Sequence, residues 1–359
     1  MNVLKFGGSS VANSENIKKV ITIITAAAKK QKVIVVVSAF GKTTNALIEG
    51  AHFAKNKNSN YKEIIQKLEK HHFDVVQELI PIQQQPAIIA HVKELFNQLE
   101  TIYKGCYLLE ELSSKTLATI SSFGELLSAA IIAEISNLAL NTNYKDSRDL
   151  IVASEMYLDA VVDFPATNKN ITAYFKHNSA QVTLLPGFVA RTAQGQTTTL
   201  GRGGSDYSAA IYAAALDAKE LQIWTDVSGM YTSNPSIVKQ AFAIPHISYH
   251  EAMELSHFGA KVIYPPTIQP VLQKEIPIVI KNTFQPKDIG TRITKDTHTN
   301  NQPVKGISYI ENITLITLGG TGMVGMPGFS KRLFEVLSLH EINITLITQA
   351  SSELSICIG

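Results

Sequence analysis

The sequence predicts an α/β chain, a mainly parallel sheet between helices, joined to a second and smaller unit of ferredoxin-like pattern. Three observations carry this. A strand-like run, Asn2–Phe6, leads directly into Gly7-Gly8, then a helical pattern, then the continuous β-branched run Val33–Val37. Strand, glycine turn, helix and doubly buried strand make a βαβ unit, with parallel pairing and a right-handed crossover. The hexapeptide Asn312–Thr317 recurs letter for letter as Asn343–Thr348. The length of 359 residues suggests about two domains.

The first helix is expected from about Ser14, with Ser14 as its N-cap, to the lysines near residue 30. Residues 45–120 are rich in Lys, Glu, Gln and Leu at helical spacing, with breaks at Pro81 and Pro86. They read as a helical subdomain projecting from the sheet. A further helix, Leu126 to Ile135, is expected to open at Ser122-Phe123-Gly124-Glu125. Sheet patterns resume around 144–163 and 181–190, at Leu221–Trp224 and at 276–281, which extends the first domain over 1–295. The polar, turn-rich stretch 294–303 reads as a linker. Beyond it, the two repeat copies are expected as strands, Phe329 to His340 as a helix and Leu354 to Ile358 as a third strand. That is the first half of a split βαβ, so 304–359 is expected to be an incomplete domain.

Composition narrows the function classes. Hydrophobic residues make up 45% and charged residues 17%, a globular mixture able to bury a sizeable core. A net charge of +2 with dispersed lysines gives no electrostatic footprint for nucleic acid or a membrane surface. Cys106 and Cys357 show neither metal-ligand spacing nor a disulfide framework, which fits a reducing compartment. No signal segment is visible, and no apolar stretch is expected to approach the roughly 20 residues of a membrane span. The expectation is a cytoplasmic protein without nucleic-acid or membrane partners.

Five motifs carry possible chemistry. In Lys5-Phe6-Gly7-Gly8-Ser9-Ser10, two glycines after a strand let backbone N–H groups approach a phosphate, with a lysine in reach. The same spacing also suits a tight turn with a surface lysine. Thr197 to Asp206 places Gly201, Arg202, Gly203, Gly204, Ser205 and Asp206 at a helix start, where a guanidinium can grip a carboxylate. Ile223 to Tyr231 is a strand ending in Thr225-Asp226, and ligands of open α/β sheets sit beyond such carboxyl ends. Glu125 in a first helical turn would suit the dipole without any ligand. Lys261, in Phe258–Val262, is a second lysine for a phosphate, or simply a solvated one. His71-His72 lack a third ligand at suitable spacing and read as surface or core residues.

In this order, the motifs resemble those of the aspartate kinase family. The matching pieces are Lys5 to Ala12, Ser38-Ala39 with Thr44-Asn45, Phe123-Gly124-Glu125, Thr197 to Asp206, Trp224 to Tyr231 and Phe258 to Val262. Glu251–Ser256, Pro303–Ser308 and Leu346–Glu353 are similar to the kinase half of bifunctional aspartate kinase–homoserine dehydrogenases. The resemblance implies an amino-acid-kinase fold followed by ACT-type regulatory domains, of which this chain carries part of one. It implies transfer of the γ-phosphoryl group of Mg-ATP to the β-carboxylate of L-aspartate, within lysine, threonine and methionine biosynthesis. The alternatives are another amino-acid kinase, acting on N-acetylglutamate, glutamate or UMP, or a non-catalytic amino-acid sensor.

The resemblance also implies roles. Lys5 would clamp the moving phosphoryl group with Gly7, Gly8 and Ser9. Asp206 would orient Lys5 or bind ammonium or metal. Arg202, Ser38, Thr44 and Ser205 would hold the aspartate α-carboxylate, and Glu125 its ammonium. Thr225, Asp226, Tyr231, Lys261 and Val262 would form the nucleotide site, with Mg2+ as cofactor. Gln349 would belong to a feedback site for threonine or lysine in a longer parent, with weak or absent inhibition expected of this chain. A homo-oligomer is expected. Two positions depart from the family: Ser233-Asn234-Pro235-Ser236 replaces a run with a nucleotide-binding arginine, and Tyr264 stands at a histidine.

Overall fold

Alternation along the first strand sets the layering of the N-terminal part. In β1 (Asn2–Phe6), Leu4 and Phe6 face one apolar core, while Val3 faces another. Successive strand side chains point to opposite faces, so Lys5 shares the face of Val3. A sheet buried on both sides needs helices on both sides, and the chain supplies them.

In this computed structural model, residues 1–257, 262–295, 304–320, 323, 327–349 and 355–359 are described. They fall into two units, Met1–Ser308 and Tyr309–Gly359. In the first, β1 is followed by α1 (Ser14–Ala28), β2 (Val33–Val37), α2 (Thr43–Lys55), α3 (Tyr61–Leu79), α4 (Gln85–Leu109) and α5 (Ser114–Asn137). Then come β3 (Thr142–Tyr144), α6 (Phe164–His177), β4 (Val182–Pro186), β5 (Val189–Arg191), β6 (Thr197–Thr199) and α7 (Gly204–Ala215). The unit continues with β7 (Glu220–Thr225), β8 (His246–Ser248), α8 (Tyr249–His257), α9 (Gln269–Leu272), β9 (Ile278–Asn282) and β10 (Thr291–Thr294). The main sheet runs β3-β4-β2-β1-β7-β9-β10-β8, and only β9 and β10 pair antiparallel. The strand order reverses direction around β1, where β2 lies on one side and β7 on the other. That switch point opens a crevice at the carboxyl ends of the strands.

Five expectations change. Asn13, not Ser14, caps α1, its Oδ1 accepting the N–H of Asn16 at 2.9 Å. The helices of 45–120 do not stand apart: they share one core with the sheet, in which Leu47, Phe96 and Tyr103 join Leu4, Val35 and Val37. The stretch 145–163 holds isolated bridges such as Val152 to Arg191 rather than a strand, because Asp146 and Ser147 open a 3-10 turn there. Finally, α5 begins at Ser114, its N-cap Ser113 accepting from the Thr116 N–H, so Glu125 lies in mid-helix rather than in a first turn. This helix is long and apolar enough to cross a membrane by length and composition, contrary to the expectation, yet 83% of its apolar window is buried inside the protein.

The second unit has β11 (Ile316–Gly319), α10 (Phe329–Leu339), β12 (Ile347–Gln349) and β13 (Ser355–Ile358). Their order, β11-β13-β12, is antiparallel throughout. It explains the repeat. Ile316 and Ile347 both pair with Ile358, and Thr317 and Thr348 both pair with Cys357, so equivalent letters flank one central strand. Met323, Leu337, Ile356 and Ile358 form the small core.

Candidate active site

Lys5 sits at the carboxyl end of β1, on the face covered by α7. Its Nζ lies 2.6 Å from Asp206 Oδ1, and the two side chains are 10% and 13% exposed. The contact is close but lacks hydrogen-bond direction, and Oδ1 has no hydrogen-bond partner. Asp206 stands in the first turn of α7, whose N-cap is Gly203 rather than a capping side chain. Gly201 and Gly203 have φ of 68° and 69°, which only glycine adopts without strain. A Cβ on Gly203 would lie 2.7 Å from Tyr264 Cβ, so the tyrosine at the departing position packs on this loop.

A cleft of about 220 Å³ opens here. Lys5, Asp206, Glu125, Ser38, Thr44 and Ser205 line it together. These are six of the expected site residues, drawn from β1, α2, α5, α7 and the loop after β2. Two close approaches hold that loop against α5. A Cβ on Gly124 would meet Ala39 Cβ at 2.8 Å, and Ser128 Oγ donates to the Ser38 carbonyl at 2.8 Å. The interior glycine of α5, a helix weakener, is therefore a docking point.

Glu125 is 5% exposed, and its Oε2 has no hydrogen-bond partner. Burial pushes its carboxyl up to about 8, against the opposing pull of the Ala39 N–H and the Lys5 ammonium. A buried carboxyl in want of a partner is ready for a cationic group of a ligand.

Phe188, which lies outside the motifs, also lines the cleft. It has φ 68°, a conformation costly for a bulky side chain, of order 1–3 kcal/mol. The only available signal was its place just beyond β4, after Pro186-Gly187, at a strand end beside β2.

Other expected residues fall elsewhere. Gly7 donates its N–H to the Trp224 carbonyl at 3.1 Å, extending the β1–β7 ladder, so it is not free to hold a phosphate as expected. Gly8 has a packing reason: a Cβ there would lie 2.8 Å from the Gly41 carbonyl oxygen. Ser9 follows it in a short 3-10 turn. Arg202 is exposed and is not among the cleft-lining residues. Thr225 and Asp226 lie at the end of β7, beside β1, with Thr225 Oγ1 3.2 Å from Asp226 Oδ1. Thr283 ties this end to the glycine turn, its N–H donating to the Thr225 carbonyl at 2.8 Å and its Oγ1 lying 2.7 Å from Ser10 Oγ. Tyr231 is half-buried and bridges to Ala243. The Asn234 side chain accepts from the Ser236 N–H and hydroxyl in an exposed turn, so 233–236 offers no cation. Val262 packs beside the second core, Lys261 lies outside the described residues, and Gln349 is exposed at the end of β12 in the other unit.

Comparison with known proteins gives the following. The profile of the amino acid kinase family matches residues 1–282, and that of an ACT domain matches 316–359. The bifunctional aspartokinase/homoserine dehydrogenase 1, chloroplastic, of Arabidopsis thaliana is 36% identical over 99% of this chain and 40% of its own length. The corresponding bifunctional protein of Buchnera aphidicola is 36% identical over 98% of this chain and 44% of its own. The chain thus spans less than half of these relatives. The crystal structure of E. coli aspartokinase III in complex with aspartate and ADP superposes with a TM-score of 0.86 at 30% identity, covering 100% of this chain and 78% of that one. The same enzyme with lysine and aspartate gives 0.84.

Proposed function

Because the chain belongs to the aspartokinases of the amino acid kinase family, we propose that it transfers the γ-phosphoryl group of ATP to the β-carboxylate of L-aspartate, giving 4-phospho-L-aspartate and ADP. The observation that carries this is the buried Lys5–Asp206 pair, set in one cleft with the buried Glu125, whose Oε2 has no hydrogen-bond partner. E. coli aspartokinase III, with aspartate and ADP bound, supports the same pair of ligands here.

Both reactants are anions, so the protein must align them and neutralise the phosphoryl oxygens. The acceptor carboxylate, with a free pKa of about 3.9, is already ionised at neutral pH. No base is required, and Asp206 serves to orient Lys5. Lys5 holds the transferring group, and the N–H groups of Gly8 and Ser9 face the adjoining phosphate. Glu125 takes the α-ammonium, giving up its proton as it does so. Ser38, Thr44 and Ser205 donate hydroxyl hydrogen bonds to the α-carboxylate, and Arg202 reaches it from the rim. Thr225, Asp226, Tyr231, Val262 and Lys261 form the nucleotide side, next to β1.

Among the described residues no cluster of three or more His, Cys, Asp or Glu could cage a metal. That suits Mg2+, which keeps water and binds through one or two carboxylates plus substrate phosphates. When bound, it would neutralise phosphate charge, with Asp206 and Asp226 as the carboxylates that would hold it. Lysine or threonine is proposed as a feedback ligand of the ACT unit, with Gln349 in its site, since aspartokinase III binds lysine. A homo-oligomer in the cytoplasm completes the proposal.

The test is incubation with Mg-ATP, L-aspartate and hydroxylamine. Aspartyl hydroxamate is the expected product. None with aspartate, but product with N-acetylglutamate or glutamate, overturns the substrate assignment.

A further inference from the structure

We propose that Phe188 sets the length of the acceptor acid and that Ser208 holds it in position to do so; this rests on the kinase reading above. Among the described residues lining the cleft, Phe188 alone carries an apolar side chain. The polar groups fix the two ends of an amino-dicarboxylate: Glu125 at the ammonium, Lys5 with Asp206 at the phosphoryl acceptor. What remains of such a ligand is its methylene carbon, and the phenyl ring is the one surface suited to it.

The ring is held, not merely present. Its backbone sits at φ 68°, where glycine would keep the turn without strain. The Phe188 N–H donates to Ser208 Oγ at 2.9 Å, and its carbonyl accepts from the Leu200 N–H at 2.9 Å. Ser208 is fully buried and donates in turn to the Gly204 carbonyl at 2.8 Å. One hydroxyl therefore fastens the strained residue to the first turn of α7, which carries Ser205 and Asp206. The ring packs closely against that turn: a Cβ on Gly204 would stand 2.7 Å from Phe188 Cδ2. Gly187, just before, would collide with Ser205 at 2.7 Å if it had a Cβ. Wall and phosphoryl-site helix thus form one piece. An acid longer by one methylene, anchored at both ends, must bow into the ring.

The experiment compares wild type with Phe188→Gly, which keeps the backbone conformation, measuring aspartyl hydroxamate formation with L-glutamate as competitor. A one-methylene discrimination is worth about 10–200-fold, so the glycine variant should lower the inhibition constant of L-glutamate at least about tenfold, with the KM for ATP changed by less than about twofold. Ser208→Ala, which keeps the ring but removes its tether, should shift the glutamate constant the same way by a smaller factor. Phe188→Leu, which keeps apolar bulk at the wall, should lower the glutamate inhibition constant less than Phe188→Gly does. An unchanged glutamate constant in Phe188→Gly overturns the inference, as does an equal weakening of aspartate, glutamate and ATP. Wild-type activity on aspartate separates the two claims: if it is absent, the kinase reading fails first; if it is present and glutamate is unaffected, only the role of Phe188 fails.

Discussion

Replacing Glu125 by glutamine separates what its burial costs from what its charge does. The carboxyl rises from 4.5 to about 8 chiefly because it is buried. The sign follows from proton counts. Below pH 4.5 both folded and unfolded chains carry the proton. Between 4.5 and about 8 the unfolded chain releases it and the folded chain keeps it, so stability falls as pH rises. Above about 8 the folded protein bears a buried charge and the loss is complete. At ~1.4 kcal/mol per tenfold change in proton affinity, the upper limit of that loss is about 5 kcal/mol. Glutamine mimics the protonated form, and its Oε1 can still accept the Ala39 N–H.

Glu125→Gln should therefore melt close to wild type near pH 5 and well above it near pH 9. At about 2–4 °C per kcal/mol for a domain of this class, the gap should open by several degrees. Calorimetry at the two pH values reads it directly. The same variant should raise the KM for aspartate about 10-fold or more, because an amide cannot neutralise a buried ammonium. In wild type, that KM should fall as pH approaches 8. A melting gap of equal size at both pH values would refute the burial argument, and an unchanged KM for aspartate would refute the ammonium assignment.

Four further outcomes are expected. Lys5→Ala should cut kcat by about 10²–10³ in the hydroxamate assay, the scale of losing one preorganised charge donor. It should also destabilise by about 3–5 kcal/mol in urea titration, since Asp206 is left buried and unpaired. Gly8→Ala should cost about 1–3 kcal/mol, because its Cβ meets two backbone carbonyls that cannot turn aside. Ser10→Ala should cost about 1 kcal/mol through the buried Thr283 bond and raise the KM for ATP, read by ADP release. His72 is fully buried beside Phe40, and burial lowers its pKa to about 4, so its neutral form stabilises the fold and that stability is lost as pH falls from 6.5 to about 4. His72→Phe should flatten the acid limb of a Tm-against-pH curve.

What could be read from the letters alone was what local rules decide. The glycine motif after Lys5 and the glycine loop leading into Asp206 were marked by their own letters, and Lys5 and Asp206 meet in the cleft. The repeat announced two equivalent strands, though not the shared partner β13 that makes them equivalent. Glu125 was misplaced because Gly124 looks like a break, whereas Ala39 across the interface is what requires a glycine there. Gly7 was assigned to phosphate although the β1–β7 ladder takes its N–H, a pairing decided by a strand more than 200 residues away in sequence. Phe188 was marked only by its place after Pro186-Gly187 at a strand end; the tether from Ser208 and the close contact with Gly204 exist only once β4 and α7 are packed. The legible residues are those whose chemistry is carried by their own turn, and the hidden ones, Phe188 and Ser208, act through a neighbour that the fold brings from elsewhere. Variants at the hidden positions therefore test the assembly of the site rather than its chemistry, and they should alter which acid is chosen more than how fast the phosphoryl group moves.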